Sequence, residues 1–187
     1  MLRIIAGTYR GRRIEAPEGR DTRPTLDRVR ENLFNMLQGR IPDARVLDLF
    51  SGSGALSLEA LSRGAAFAVM ADRDREACRI EEKNVNALGL SDKTRRMRSE
   101  WERTLRTLTE EGDKFDLIFL DPPYVMTDLR EMTERLKPLM AEDAWIVLEH
   151  QARAEIQVAK GLAPVRERTW GYCGVKIYEQ LCDPGIL

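Results

Sequence analysis

Short apolar runs alternate with stretches of helical period along the chain, the pattern of an α/β domain in which strands feed helices. One run sets the frame. Residues 115–120 are apolar except for Asp116, as a central parallel strand covered on both faces requires, and they stop at Asp121-Pro122-Pro123-Tyr124. The prolines cannot continue a ladder, because they lack an N–H and have φ fixed. Residues 46–50, 67–71, the weaker 94–98 and 144–148 read as further strands of the same sheet, the last ended by Glu149 and His150 as a structural pair. Helical stripes predict a helix to about residue 38, with Leu26, Val29, Leu33, Met36 and Leu37 on one face, Thr25 as N-cap and Gly39 as stop. Others are expected over 55–63, from an Asp74 cap to Leu88 closed by Gly89, and over 128–137 stopped by Pro138, after a mobile lip at 125–127. Ser99 and Glu102 spell a capping box for one more. Residues 164–169 and 174–181 predict an antiparallel pair around Trp170-Gly171-Tyr172, and residues 2–6 and 12–16 a small N-terminal hairpin around the turn 7–11. Residues 183–187 read as a loose tail.

Composition narrows the class. The 187 residues suit one main domain, 24–187, with 1–23 as a basic extension, and need no staples. Lys plus Arg is 30 against 31 Asp plus Glu, a net charge of -1 that excludes a uniformly basic nucleic-acid binder. No apolar signal core or membrane-length run is present, so a cytoplasmic chain with no membrane partner is expected. Cys78, Cys173 and Cys182 lack CxxC spacing and His150 is the single histidine, which argues against disulfide, zinc and multi-histidine metal sites; Cys78 reads as filling. The expected metal complement is none.

Candidate chemistry collects at strand ends, where open α/β sheets bind ligands. Asp121 and the Pro122 carbonyl would accept from the two hydrogens of a planar amine, leaving a more localised lone pair, while Tyr124 offers a stacking face; the competing reading is a plain strand-ending turn. Strand 46–50 runs into Ser51-Gly52-Ser53-Gly54 and a helix, the nucleotide-binding entry. Ser57 stands where a dinucleotide fingerprint wants Gly or Ala, and Asp48 before the loop suits the ammonium end of an amino acid. Asp72, twenty residues past Gly52, is spaced to meet ribose hydroxyls. Glu100 either faces an adenine amino group or starts a helix. In the preface Arg3, Arg10, Arg12, Arg13, Arg20 and Arg23 outnumber Glu15, Glu18 and Asp21, with Tyr9 among them, a mixture that fits phosphate contacts and base stacking or else a solvated hairpin. Arg23 and Thr25 sit at a helix start, where an anion or a simple cap would be placed.

Val46-Leu47-Asp48-Leu49-Phe50-Ser51-Gly52-Ser53-Gly54 followed by Asp121-Pro122-Pro123-Tyr124 resembles the S-adenosylmethionine-dependent amino-methyltransferases. Arg3-Ile4-Ile5-Ala6-Gly7, Tyr9-Arg10-Gly11, Asp21-Thr22-Arg23-Pro24-Thr25 and Asp27-Arg28-Val29-Arg30-Glu31 narrow the likeness to the RsmD family of bacterial 16S ribosomal RNA guanine-N2 methyltransferases. This resemblance implies a Rossmann-like, seven-stranded, mostly parallel sheet of order 3-2-1-4-5-7-6 with a small N-terminal extension. It implies methyl transfer to the N2 amine of one guanine of 16S rRNA; the near-neutral charge adds the expectation of docking on a preassembled small-subunit particle, and a monomer is expected. Carried over, Asp48 and the loop 52–54 hold the methionine part, Asp72 the ribose and Ser99 with Glu100 the adenine side; Phe50, Ser51, Arg73 and Asp121 complete the cofactor set. Asp121, Pro122, Pro123 and Tyr124 hold the flipped base, and Arg3, Tyr9, Arg10, Arg12, Arg13, Arg23 and Thr25 the RNA, with Arg95 and Arg96 as further candidates. The rival readings are an N-methyltransferase of DNA adenine or cytosine or of protein glutamine, a nicotinamide dehydrogenase, and an RNA-binding module that keeps a silent cofactor fold.

Overall fold

The structure, a computed structural model, describes residues 2–17 and 24–181, and for 24–26 the backbone alone. Arg20, Arg23, Cys182 and the expected tail lie outside the described residues, as does the side chain of Thr25. Five main-sheet strands and their crossovers follow in order: β3 (Arg45–Asp48), α2 (Ala55–Ser62), β4 (Phe67–Asp72), α3 (Arg75–Leu88), β5 (Thr94–Arg98), α4 (Trp101–Glu111), β6 (Phe115–Leu120), α5 (Arg130–Leu136) and β7 (Met140–Gln151). A hairpin, β8 (Leu162–Trp170) and β9 (Cys173–Gln180), closes the sheet, and β1 (Leu2–Arg3), β2 (Arg13–Ile14) and α1 (Pro24–Met36) precede it. The seven strands lie in the order β5-β4-β3-β6-β7-β9-β8, which is the expected 3-2-1-4-5-7-6. β7 and β9 pair antiparallel, as do β8 and β9, while the other pairings are parallel.

Both faces of the sheet are covered, which is why its central strands read as continuous apolar runs. Val46, Leu117, Phe119, Trp145 and Val147 pack with Leu33, Phe34 and Leu37 of the α1 segment and with α2 on one side; Leu47, Val69, Ile118, Leu120 and Ile146 pack with α4 and α5 on the other. The one polar residue of the β6 run has a structural use: Asp116 Oδ2 accepts from the Arg45 N–H at 2.8 Å, fixing the start of β3 beside β6.

Several boundaries differ from the sequence reading. β1 and β2 are shorter than 2–6 and 12–16, because the N–H groups of Ile5 and Ala6 turn to the Glu59 carboxylate, at 2.8 and 3.0 Å, instead of a ladder. α1 is described from Pro24, so the backbone of Thr25 falls inside the helix. Its end is at Met36, followed by a 3-10 turn over Gln38–Arg40 that contains Gly39. No capping box forms at α4: Ser99 Oγ pairs with the buried Thr104 Oγ1 at 2.6 Å and Glu100 becomes the N-cap residue without a side-chain bond. α5 begins at Arg130, since Asp128 bridges Gln157 and the Leu129 N–H donates to the Gln157 carbonyl at 2.8 Å. Residues 125–127 are hydrogen-bonded at both ends, Met126 N to Pro123 O at 2.8 Å and Gln157 N to Thr127 O at 2.9 Å. β7 continues past Leu148 through Gln151, paired with β9. Glu149 and His150 are therefore consecutive strand residues facing opposite sides, not a pair. His150 Nδ1 meets the Gln151 carbonyl at 2.8 Å and its ring packs over Gly174.

Candidate active site

At the carboxyl ends of β3, β4, β5 and β6 lies a cleft of about 780 Å³. Phe50, Asp72, Arg73, Ser99, Glu100, Asp121, Pro122, Pro123 and Tyr124, expected from four separate segments, all line it. Trp101, Met126 and Tyr172, not among the expected site residues, also line it, as does Glu149, which the sequence offers as half of a structural pair. Asp48, Ser51, Gly52 and Gly54 sit behind this wall, in and beneath the loop that links β3 to α2.

That loop is held by acids. Gly52 and Gly54 take φ of 55° and 79°, the left-handed region that favours glycine, and Met70 Cε would lie 2.3 Å from a Cβ on Gly54. The Gly52 N–H donates to Asp72 Oδ2 at 2.9 Å, while Asp72 Oδ1 accepts from Asp74 N at 2.9 Å. Ser51 Oγ donates to Glu81 Oε2 at 2.5 Å, and Asn84 Nδ2 to the Ser53 carbonyl at 2.9 Å. Glu81 and Asn84 had a signal that was not used: they interrupt the buried stripe Ala77, Ile80, Val85, Leu88 of α3. Polar groups on a buried helical stripe need partners, and the loop supplies them.

Asp48 is 1% exposed. Its Oδ2 accepts from Ser57 Oγ at 2.9 Å, so the residue that spoke against a dinucleotide fingerprint proves to be the partner of the strand-end acid. Among the described residues Asp48 Oδ1 has no hydrogen-bond partner. Burial raises the Asp48 pKa to about 7, with nearby Asp72 adding and the Ser57 bond opposing. Glu81 is likewise raised to about 7, first by burial. A buried acceptor without a partner, under a glycine loop and beside raised carboxylates, is complementary to a cation such as an ammonium group.

At the other end of the wall, Asp121 follows Leu120 out of β6. The Tyr124 hydroxyl donates to Glu149 Oε1 at 3.4 Å, and burial, with the neighbouring Glu149, Cys173 and Asp121, pushes the phenol well above its ordinary pKa and keeps it neutral. Arg73 meets Glu100 at 3.7 Å on the exposed rim. A second, smaller cavity of about 150 Å³ opens on the α1 side, between Leu2, Val29, Arg30 and Leu33 and the glycine loop; it shares Phe50, Asp121 and Glu149 with the first. Of the expected RNA contacts, Arg3, Arg10, Arg12 and Arg13 are exposed on the hairpin, and Tyr9 is half-buried against the core. Arg95 and Arg96 belong elsewhere: they pair with Glu111 at 2.5 Å and Glu82 at 3.0 Å along the β5 edge. Among the described residues no group of His, Cys, Asp and Glu is placed to hold a metal ion, and no helix is long and apolar enough to cross a membrane.

The strand order with its antiparallel last hairpin, the glycine loop after β3 and the acid-Pro-Pro-Tyr turn after β6 define a Rossmann-like methyltransferase fold. A solved Escherichia coli chain superposes with a TM-score of 0.82 at 35% identity, covering 97% of this chain and 99% of that one. In sequence, ribosomal RNA small subunit methyltransferase D of Escherichia coli is 36% identical over 186 residues, 96% of this chain and 90% of that protein. The protein of the same name from Haemophilus influenzae is 30% identical over 95% of this chain and 93% of its own length. The family model described as conserved hypothetical protein 95 matches residues 2–179, and the chain belongs to this family, the RsmD family that its motifs resemble.

Proposed function

We propose that this protein transfers a methyl group from S-adenosylmethionine to the exocyclic N2 amine of a guanine in 16S ribosomal RNA. The observation that carries the reading is the convergence on one cleft of the acid-Pro-Pro-Tyr turn with the glycine-loop, Asp72 and Ser99-Glu100 segments. Family membership and the names of the relatives support rRNA as substrate class.

Asp48 Oδ1 and the glycine loop fit the ammonium and backbone of the cofactor's methionine part, Asp72 the ribose, and Ser99 with Glu100 the adenine side. Bound there, S-adenosylmethionine supplies a sulfonium methyl group open to in-line displacement. Asp121 and the Pro122 carbonyl accept from the two amine hydrogens and aim its lone pair; neutral Tyr124 and Pro123 hold the base plane. The lone pair that these acceptors aim would take up that methyl group, the bonding pair leaving with sulfur. The methylated amine then sheds its proton through Asp121 to water. An unpaired guanine is the cheaper target, since extruding a stacked one costs roughly a few kcal/mol. The hairpin arginines give a local basic surface on a chain of net charge -1, which suits docking on a preassembled small-subunit particle in the cytoplasm.

The test is transfer of label from S-adenosylmethionine to small-subunit particles, free 16S rRNA, DNA and protein from cells lacking this gene, followed by nucleoside mass spectrometry. N2-methylguanosine in rRNA is expected, with Asp121→Ala slower by about 100- to 1,000-fold when S-adenosylmethionine is saturating. Label in DNA or protein overturns the substrate. Cofactor binding without transfer to any of the four overturns the activity.

A further inference from the structure

Glu149 is the one carboxylate at the meeting point of the two cavities that the transfer itself does not use. β6 and β7 pair with Phe119 opposite Val147 and Leu120 opposite Leu148, and the next residue of each, Asp121 and Glu149, lines both cavities. Strand alternation puts both acids on the face that carries Phe119 and Val147. His150 takes the opposite face, leaving Glu149 in the cleft, where the Tyr124 hydroxyl donates to its Oε1 at 3.4 Å. Tyr124 is held neutral, so it donates to this carboxylate and does not compete with it as an anion.

Two acids lining one cleft suit a base edge that offers two donors side by side. Guanine has such an edge: the N1–H lies next to the N2 amine. The other ring amines open to methylation do not, since adenine N6 and cytosine N4 are each flanked by a ring nitrogen that is an acceptor. A carboxylate facing that lone pair leaves both without a proton to share, and the mismatch is costly.

We propose that Glu149 accepts the N1–H of the target base while Asp121 accepts from its amine, making Glu149 the residue that selects guanine. The assignment deepens the activity proposed above and rests on it.

Once mass spectrometry has located the methylated nucleotide, particles are rebuilt with 2-aminopurine at that single position. This base keeps the amine and turns N1 into an acceptor. The wild-type protein is expected to methylate it with a kcat/KM lower than for guanine by roughly 100-fold or more. Glu149→Gln keeps the side-chain shape and an acceptor for Tyr124, and its amide can donate to N1. It is expected to lose about 10- to 100-fold on guanine, to gain on 2-aminopurine, and to bind S-adenosylhomocysteine as the wild type does. Equal wild-type rates on the two bases overturn the assignment whether or not the variant folds. So does a variant that slows both by one common factor, the mark of a merely structural role, or that leaves the preference unchanged. Failure of the wild type to methylate N2 of any rRNA guanine instead overturns the activity, and this assignment with it.

Discussion

Asp48 and Glu81 place two buried carboxylates beneath one glycine loop, and burial raises both to about 7. An acid with a folded pKa above its unfolded value of about 4 binds more protons in the native state than in the unfolded chain. Its contribution to stability therefore declines as pH rises between about 4 and 7, and the cost is fully present above that window. In the ligand-free protein Glu81→Gln should remove part of this decline: its melting temperature relative to wild type should rise from pH 5 to pH 8, by the equivalent of roughly 1–3 kcal/mol. Thermal melts across the range check it, and a difference that stays flat with pH would place the titration elsewhere. A cation brought to Asp48 favours its ionised form, so binding S-adenosylhomocysteine near pH 7 should release protons. Calorimetry in two buffers of different ionisation enthalpy reads that release directly, and no buffer dependence would argue that the ammonium group lies away from Asp48. Asp48 was legible from the sequence as a strand-end acid, whereas its partner Ser57 was legible only as a departure from another motif.

The N-terminal hairpin is an element held by another element. Beyond its short ladder, Ile5 N and Ala6 N bond the fully buried Glu59 of α2, Thr8 N bonds the Ser62 carbonyl at 2.8 Å, and Tyr9 N bonds Ser62 Oγ at 2.9 Å. Gly7 sits in the middle at φ 84°, where a Cβ would come within 1.8 Å of the Ser62 oxygen. Gly7→Ala should thus cost about 2–3 kcal/mol and loosen the hairpin. Amide exchange should accelerate at Ile5, Ala6 and Thr8 ahead of the β6 core; protection equal to wild type would mean that the backbone shifts without loss. None of this docking is visible in a local sequence window, because Glu59 lies in a short helix whose apolar pattern says nothing of the partner 53 or 54 residues away. Elements with local causes were read well: β5 and β6 to the residue, and α3 from its Asp74 cap, which accepts from Ala77 N at 2.8 Å, to Gly89. Those decided by distant pairing were not. β7 overran its expected end because β9 continues the ladder as far as Gln151 with Cys173, and the α4 capping box lost Ser99 to Thr104. The same overrun turned Glu149 from a strand-end residue into part of the cleft.

At the scale of the molecule, a net charge of -1 means that RNA affinity has to come from where the cations lie, and the structure sorts them. Arg95 and Arg96 are neutralised along the β5 edge, Arg3 meets Asp27 at 3.4 Å, and Arg12 Nη2 donates to the Ala87 carbonyl at 2.8 Å at the end of α3. Arg10 and Arg13 are exposed and make no ion pair among the described residues. They are therefore the cleanest probes of the hairpin as a phosphate-contacting surface, and altering them disturbs none of the bonds that dock it to α2. Each phosphate contact on single-stranded RNA contributes a slope of about 0.7 in log affinity against log salt, so Arg10→Glu with Arg13→Glu should lower the measured slope by roughly 1–2. Particle binding and methylation should weaken together while S-adenosylhomocysteine affinity stays as it was, because the glycine loop and Asp72 are untouched. Filter binding at several salt concentrations, read beside calorimetry with the cofactor product, separates the two surfaces. A double variant that methylates particles at the wild-type rate and salt dependence would remove the hairpin from the RNA footprint and shift attention to the exposed Tyr172 on the wall of the same cleft.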